Sequence, residues 1–348
     1  MRQLLKRVAL QGAYYTGIYS VVSRRYSGMG SIFLMHKIVK TKTDSLATEL
    51  TISLAFLDRV ITRLKAKADF VTLDEVHERL IHHKPNKTTR PFIALTFDDG
   101  FRDNLTLGLP ILRRHGVPAM VYVPSGAPDR TLDPWPWRLE KAIWNLSELS
   151  LDRPGLPRRL STRTWAEKRA AFRMLTLYVH KNIPANREIS EMLLSRAQIS
   201  DEAMIGEHFV SWEELRQLAS DPVITVGGHS VTHASLLDLT EDHAMAEISN
   251  GRERLIAQLD RPISHFAYPY GERSNFSCRE LVLAARAGFV TGVTNIAGNI
   301  FQQHTDNLMG LPRIGLGGNK EEISSAILDL SGTPIALSSR WHNPVVTM

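Results

Sequence analysis

Short apolar segments alternate with segments of helical periodicity along most of this chain of 348 residues, and no other feature restricts its fold as much. Eight segments have the length and composition of buried strands, each stopped by Gly, Pro or Asp: Ser31–Val39, Phe70–Leu73, Phe92–Phe97, Ala119–Pro124, Val223–Val226, His265–Tyr268, Phe289–Val293 and Leu311–Leu316. Strands that alternate with helices are joined by crossovers and are therefore parallel. We predict an α/β fold, a distorted (β/α) barrel of seven or eight mostly parallel strands, with a doubly wound sheet as the alternative.

The predicted helices define how the chain is divided. Between strands they are Ser53–Lys65, Asp242–Leu259 and Cys278–Ala287, and two more begin at the capping boxes Thr72 with Glu75 and Ser211 with Glu214. The stretch Asp133–Ala219 holds no strand candidate, and its helical segments are Trp165–His180 and Ile189–Ala197. We therefore predict a barrel over residues 31–318 with a helical insertion over 133–219, an N-terminal segment over 1–30, and a C-terminal helix and tail over 319–348.

The formal net charge of +6 comes entirely from the beginning of the chain. Eight Lys and Arg residues precede the first acidic residue, Asp44, so the rest of the chain carries −2. A near-neutral body gives no support for nucleic-acid binding, and we expect no nucleic-acid partner. The single cysteine, Cys278, excludes a disulfide scaffold and a zinc site built from cysteines.

The basic segment 1–30 also carries apolar residues at roughly helical spacing. Such a pattern is typical of a helix that lies on an anionic membrane, and equally of a helix that packs on the body of the protein. Its uncharged run, Val8–Ser23, has 16 residues and is too short and polar to span a bilayer, which takes about 20 apolar residues. It lacks a convincing signal-peptide cleavage site. The expected location is the cytoplasm, with peripheral contact at the inner membrane surface.

Adjacent carboxylates end the predicted strand Phe92–Phe97, in the motif Thr96–Gly100. Asp98 and Asp99 at the mouth of a buried strand are costly unless something neutralises or uses them. Gly100 allows a sharp turn there, and the carboxyl ends of parallel strands are where such folds place catalytic residues. A helix cap would explain one aspartate but not two. We therefore predict a catalytic role for this pair.

A second polar motif, His229–His233, follows the predicted strand Val223–Val226. Two imidazoles four residues apart converge if the segment makes one helical turn, and two histidines with one aspartate are a common set of ligands for a divalent metal. The fold would bring His229 and His233 beside Asp99. On its own this spacing is a weak signal in a chain with 13 histidines.

Together these motifs resemble those of the polysaccharide deacetylase family, also called carbohydrate esterase family four or the NodB homology domain. The segment Phe266–Gly271 resembles the Tyr-Pro-Tyr-Gly form of the third motif in one branch, and Ala287–Phe289 and Leu311–Ile314 resemble later landmarks of that branch. The similarity covers roughly Ser31–Leu316, interrupted by the insertion. It implies a barrel that hydrolyses acetyl groups on saccharides.

The resemblance also implies roles for individual residues. Asp99, His229 and His233 would bind a divalent metal, expected to be zinc, that activates a water molecule and polarises the acetyl carbonyl. Asp98 would be the general base, and the backbone N–H of Tyr270 would bind the oxyanion. Tyr268 and Pro269 would contact substrate. Trp135 and Trp137, where the insertion begins, either stack on sugar rings or pin the insertion to the core.

The sequence departs from the better-known members of the family at two positions. Ala267 stands where they have an arginine that orients the base, and Leu311-Pro312-Arg313 lacks the histidine that acts as general acid. Arg313 is the candidate replacement for the arginine, the alternative being that it satisfies helix carbonyls. His36 and His304 are the candidate acids, each otherwise structural, unless Asp98 itself returns the proton.

These observations predict a metal-dependent hydrolase that removes N-acetyl groups from an amino-sugar polysaccharide, oligosaccharide or lipid-linked saccharide. Two alternatives remain open. One is hydrolysis of O-acetyl esters or cyclic amides at the same site, and the other is an inactive homologue that binds saccharides.

Overall fold

The computed structural model describes residues 2–82, 90–181, 187–318, 321–339 and 341–347. The strands of this part of the chain are β1 (Gly30–Met35), β2 (Lys37–Val39), β3 (Thr51–Ser53), β4 (Asp69–Phe70), β5 (Phe92–Phe97), β6 (Ala119–Val123), β7 (Glu148–Ser150), β8 (Arg159–Ser161), β9 (Ile224–Gly228), β10 (His265–Ala267), β11 (Thr291–Val293) and β12 (Ile314–Gly315). The α-helices are α1 (Arg2–Tyr15), α2 (Tyr19–Tyr26), α3 (Leu54–Leu64), α4 (Leu73–His82), α5 (Leu109–His115), α6 (Trp135–Asn145), α7 (Trp165–His180), α8 (Glu188–Arg196), α9 (Asp201–His208), α10 (Trp212–Ala219), α11 (Glu241–Leu259), α12 (Cys278–Arg286), α13 (Ile323–Leu330) and α14 (Thr333–Ser338).

A single curled sheet of parallel strands forms the centre of the molecule. Its order is β11-β10-β9-β6-β5-β1-β12, and β4 pairs with the first residues of β5. A parallel bridge between Val293 and Leu311 brings the chain before β12 beside β11, so the two ends of the sheet approach each other. The predicted fold class, a distorted (β/α) barrel, is confirmed.

Strand side chains alternate between two apolar layers, as the period of two dictates. In β1 and β5 the paired residues Ile32 and Ala94 contribute to the cluster inside the barrel, whereas the next pair, Phe33 and Leu95, packs under the outer helices. All six residues of β5 are buried. A strand buried on both faces reads as a continuous apolar run, which is why β5 was recognisable from the sequence.

Two predicted elements differ from the structure. The predicted strand Ser31–Val39 is divided at His36 into β1 and β2, and β2 pairs with β3 in a separate small sheet. The prediction of an insertion without strands is wrong, because β7 and β8 form an antiparallel hairpin between α6 and α7. Each of these strands has three residues with only the central leucine facing inward, which leaves no periodic signal.

The terminal segments pack together on the outside of the barrel. The predicted single C-terminal helix is two helices, α13 and α14, separated at Gly332, whose φ of 72° is left-handed and whose Cα faces the Tyr26 carbonyl. A side chain there would collide with Tyr26, so the break requires glycine. None of the described helices is long and apolar enough to cross a membrane. The proposed division at residues 1–30, 31–318, 133–219 and 319–348 stays a prediction.

Candidate active site

A cavity of about 210 Å³ opens at the carboxyl ends of the central strands. Its lining comes from the segments after seven different strands and from the insertion: His36, Leu50, Asp98, Asp99, Pro124, Leu132, Asp133, Pro134, Pro136, Trp137, His180, Phe209, His229, His233, Tyr270, Glu272 and Asn295. In parallel α/β folds, this end of the sheet is where residues from separate strands meet. Both sequence motifs therefore face one cavity.

The turn after β5 separates the two carboxylates. Asp98 continues the strand, and its N–H donates to the carbonyl of Met35 at 2.9 Å. Asp99 and Gly100 then adopt left-handed φ values of 74° and 68°, which reverses the chain. A Cβ on residue 100 would come within 2.9 Å of Val123, so this turn needs glycine for space as well as for conformation. Asp98 consequently faces the barrel interior, and Asp99 faces the histidine loop.

Asp99, His229 and His233 form the one group of potential metal ligands found among the described residues. The Nε2 atoms of His229 and His233 lie 3.4 and 3.3 Å from Asp99 Oδ1, and the ligand atoms are all within 4.8 Å of one another. Asp99 Oδ1 is buried, yet neither imidazole approaches it with hydrogen-bond geometry. The Asp99 Oδ1 atom and the two imidazole nitrogens lie close together without a hydrogen-bond donor for the oxygen, and such a set of ligand atoms suits a divalent cation.

A second contact fixes the orientation of the first histidine. His229 Nδ1 lies 2.7 Å from the backbone carbonyl of Ala267, at the end of β10. A ring whose Nδ1–H is donated to a carbonyl presents its Nε2 lone pair, which is the usual arrangement of a metal-binding imidazole. Ala267 thus supports the site through its backbone, although its side chain lacks the guanidinium found in better-known members of the family.

The histidine loop is not the helical turn that the spacing suggested. Residues 229–233 are irregular, with left-handed φ values of 64° at Ser230 and 63° at His233. Glu247 of α11 holds the loop, because its carboxylate accepts the N–H groups of Val231 at 3.0 Å and Thr232 at 2.8 Å. Strained backbone conformations held by such contacts concentrate at functional sites.

Asp98 is held by Arg313 in a buried bidentate ion pair. The two guanidinium nitrogens Nη1 and Nη2 donate to Oδ1 and Oδ2 of Asp98, each at 2.7 Å, and both side chains are almost fully inaccessible. Burial favours the neutral acid, but the guanidinium outweighs it and holds the pKa of Asp98 below its usual value. Arg313 directly precedes β12 and lies within the predicted strand Leu311–Leu316.

Asn295 connects this ion pair to the segment Phe266–Gly271. The sequence motifs did not indicate this residue. Its Oδ1 accepts Arg313 Nη2 at 2.7 Å, and its Nδ2 donates to the carbonyl of Tyr270 at 2.6 Å. Asn295 follows β11 by two residues, so the strand-end argument that singled out Asp98 could have found it. Tyr270 itself has a left-handed φ of 62°.

Two residues of the insertion contact the Tyr270 side chain. Trp135 Nε1 donates to the Tyr270 hydroxyl at 3.0 Å, and the rings of His180 and His233 lie 6.0 and 4.8 Å from the Tyr270 ring. His180, exposed at the end of α7, also lines the cavity. No pattern in the sequence indicated His180, because only the tertiary fold brings α7 to this place.

The remaining predicted residues are distributed between cavity and core. His36 lines the cavity, and burial lowers its pKa against the opposing effect of the Asp99 and Asp98 carboxylates. Trp137 also lines the cavity. His304, in contrast, is fully buried and bonded to the backbone of Phe301 and Val346, so it does not reach the site.

Three residues predicted to contact substrate are placed elsewhere. Tyr268 is fully buried, stacks on Phe276, and donates its hydroxyl to the Met309 carbonyl at 2.9 Å. Tyr268 and Pro269 are not among the residues that line the cavity, and Trp135, only 2% exposed, lines a neighbouring cavity together with His233 and Tyr270. Contact of these three residues with substrate stays a prediction.

The sequence matches the family model of the polysaccharide deacetylases over residues 85–159 and 166–289, more than half of the chain. The chain therefore belongs to the polysaccharide deacetylase family, which is a family of hydrolases. No curated protein matches the sequence.

Solved structures share the fold at low sequence identity. The Streptococcus pyogenes deacetylase PplD is 17% identical, with a TM-score of 0.55 over 83% of this chain and 92% of that chain. IcaB from Ammonifex degensii is 15% identical, with a TM-score of 0.55 over 87% and 98%. BC0361, a polysaccharide deacetylase from Bacillus cereus, is 14% identical, with a TM-score of 0.53 over 86% and 68%.

Proposed function

We propose that this protein is a metal-dependent hydrolase that removes N-acetyl groups from amino-sugar saccharides. The observation that carries the proposal is the pairing of two differently held carboxylates. Asp98 is fixed by Arg313, and the adjacent Asp99 faces His229 and His233. Asp98 is therefore available for proton transfer, and Asp99 is available as a metal ligand. Metal-assisted hydrolysis of an amide uses both roles.

Asp99, His229 and His233 are the residues that would hold the metal. Zinc is the ion that two imidazoles and one carboxylate suit best, with further coordination positions left to water and substrate. When bound, such a cation supplies a Lewis acid that polarises a carbonyl and increases the acidity of water. The buried, donor-free Asp99 Oδ1 is the feature of this chain that fits a cation.

Asp98 would act as the general base. The bidentate contact with Arg313 keeps the carboxylate ionised and fixes its orientation, so that it can accept a proton from water in the cavity. Arg313 supplies the guanidinium that Ala267 does not. Of the two departures from the family pattern, Ala267 and the missing late histidine, this contact compensates for the first and thereby favours catalysis over an inactive homologue.

Tyr270 and His36 are the candidates for the remaining steps. No described residue accepts the backbone N–H of Tyr270, which leaves this donor available to an oxyanion. Asn295 fixes the same peptide segment by donating to the Tyr270 carbonyl. His36 lines the cavity with both aspartates and is the candidate that would protonate the leaving amine.

The cavity walls suit a saccharide. Leu50 gives apolar surface for a sugar ring, and the largely buried rings of Trp137 and Phe209 present only their edges beside it, while Asp133 and Glu272 offer carboxylates to the hydroxyl groups. Trp137 is further fixed by Lys37, whose Nζ lies 5.2 Å from the ring centroid.

Acetate release tests the proposal. We would compare oligomers of N-acetylglucosamine with acetylated xylan, using zinc-loaded wild type, Asp98→Asn and the surface control Asp58→Asn. We expect release from the amino-sugar oligomer, a loss of about 10²- to 10⁴-fold for Asp98→Asn, and no change for Asp58→Asn. Equal release by wild type and Asp98→Asn would overturn the assignment of the base. Release from xylan alone would identify an esterase, and no release from a metal-loaded protein would indicate an inactive homologue.

A further inference from the structure

The first two helices expose an apolar surface that no described part of the chain covers. Val22 and Tyr26 are buried against Ala336. Four other side chains of this segment are largely exposed: Val8 at 62%, Tyr15 at 80%, Ile18 at 52% and Val21 at 63%. We call this set the exposed apolar face. It holds four of the twelve large apolar side chains that the described residues expose, within fourteen positions of the sequence. Such a concentration marks an interaction surface.

The charge carried by α1 and α2 themselves is entirely positive, and the acidic Glu322, which precedes α13, accepts a hydrogen bond from Gln11 of α1 at 3.3 Å. Arg24 and Arg25 are exposed in the last turn of α2, on the same short helix as Val21. The sequence has eight Lys and Arg residues and no acidic residue before Asp44. An apolar face bordered by basic side chains is the combination that binds an anionic lipid surface, where apolar groups enter the headgroup region and basic groups meet lipid phosphates.

We propose that α1 and α2 dock this protein on an anionic membrane surface. Val22 and Tyr26 of α2 pack on the body of the protein, and the exposed apolar face is left for the lipid. A second copy of the chain is a poorer occupant, because a symmetric interface would bring two basic segments together. The helices lie on the bilayer without crossing it, since neither is long or apolar enough to span.

Sedimentation with lipid vesicles tests the proposal on the full chain. The vesicles are phosphatidylglycerol and phosphatidylcholine in equal parts, or phosphatidylcholine alone. Ile18→Ser with Val21→Ser removes half of the exposed apolar face. The matched control, Val282→Ser with Val290→Ser, removes two exposed valines elsewhere, at 57% and 38% exposure. We expect the first double variant to bind the anionic vesicles at least about tenfold more weakly, and the control to bind like wild type.

A second pair of changes isolates the charge. Arg24→Gln with Arg25→Gln should weaken binding to anionic vesicles by about 25-fold, about fivefold for each cation. Because both side chains are exposed, this variant carries the test if the serine variant does not fold.

Three results would overturn the proposal. The first is equal vesicle binding by wild type and by the double variant Arg24→Gln with Arg25→Gln. The second is equal binding of wild type to both types of vesicle. The third is a wild type that does not bind vesicles but forms a dimer in light scattering, which the double variant Ile18→Ser with Val21→Ser does not form. The last result would identify a second copy as the occupant. None of these measurements depends on hydrolysis, so they stand apart from the proposed activity.

Discussion

Replacing Arg313 by methionine should destabilise the fold by leaving Asp98 as an unpaired buried charge. The guanidinium makes five hydrogen bonds: two to Asp98 at 2.7 Å, and one each to Asn295 at 2.7 Å, the Thr294 carbonyl at 3.0 Å and Thr96 at 3.1 Å. Breaking a buried ion pair from one side costs about 3–5 kcal/mol, against a total stability of about 5–15 kcal/mol. Urea titration followed by circular dichroism measures this loss.

A double-mutant cycle separates the ion pair from the other contacts of Arg313. Asp98→Asn should also cost about 3–5 kcal/mol, because it leaves the Arg313 charge buried without its partner, although the amide oxygen still accepts one hydrogen bond. With both changes present no buried charge remains, so the combined loss should fall short of the sum by at least about 2 kcal/mol. The control, Arg114→Met, removes an arginine that is 62% exposed in its pair with Asp58, itself 41% exposed, and should cost less than about 1 kcal/mol.

Additivity of Arg313→Met and Asp98→Asn within about 0.5 kcal/mol would refute this reasoning. Arg313 would then serve mainly to satisfy the Thr294 carbonyl after β11. Arg313→Lys, which keeps the charge but loses the bidentate geometry, should fall between wild type and Arg313→Met.

Three further predictions concern the insertion, a buried carboxyl and the histidine loop. Trp135→Phe removes the donor to the partly buried Tyr270 hydroxyl and should cost about 0.5–1.5 kcal/mol in urea titration, whereas Trp144→Phe, at a partly exposed position without such a bond, should not. Burial raises the pKa of Asp103 to about 7, although the N–H of Ile38 donates to its carboxylate. The folded protein therefore keeps a proton that the unfolded chain releases near pH 4. The free energy of unfolding should consequently fall by up to about 4 kcal/mol as the pH rises from 4 to 7. In Asp103→Asn this dependence of the unfolding free energy on pH should disappear. An unchanged dependence would contradict its assignment to Asp103. Glu247→Gln weakens the support of the loop that carries His233, and should lower zinc affinity by about 10- to 100-fold in calorimetric titration while the melting temperature changes little.

The sequence was sufficient to predict which strand ends meet. The run before Asp98 is apolar at every position except Thr96, and the strand before His229 has Thr225 as its one polar residue, so the end of each run can be recognised. Parallel connectivity then places both ends on one edge of the sheet, which is why the proximity of Asp99 to the two histidines could be expected before any coordinates.

Side-chain direction beyond a strand end could not be predicted. Tyr268 and Tyr270 are two residues apart in one motif, yet Tyr268 packs in the helix layer and Tyr270 lines the cavity. The left-handed conformation of Tyr270 changes the direction of the chain between them, and it depends on contacts from Asn295 and Trp135 that are distant in sequence. The place of His180 at the cavity could not be predicted either, because it depends on how distant parts of the chain pack.

The metal content of the purified protein tests the central claim most directly. After incubation with zinc and removal of the excess, elemental analysis should find one ion per chain in wild type and in Asp98→Asn, and almost none in His229→Ala or His233→Ala. Wild type that retains no zinc, or a full complement of zinc in both histidine variants, would contradict the assignment of Asp99, His229 and His233 as the metal ligands.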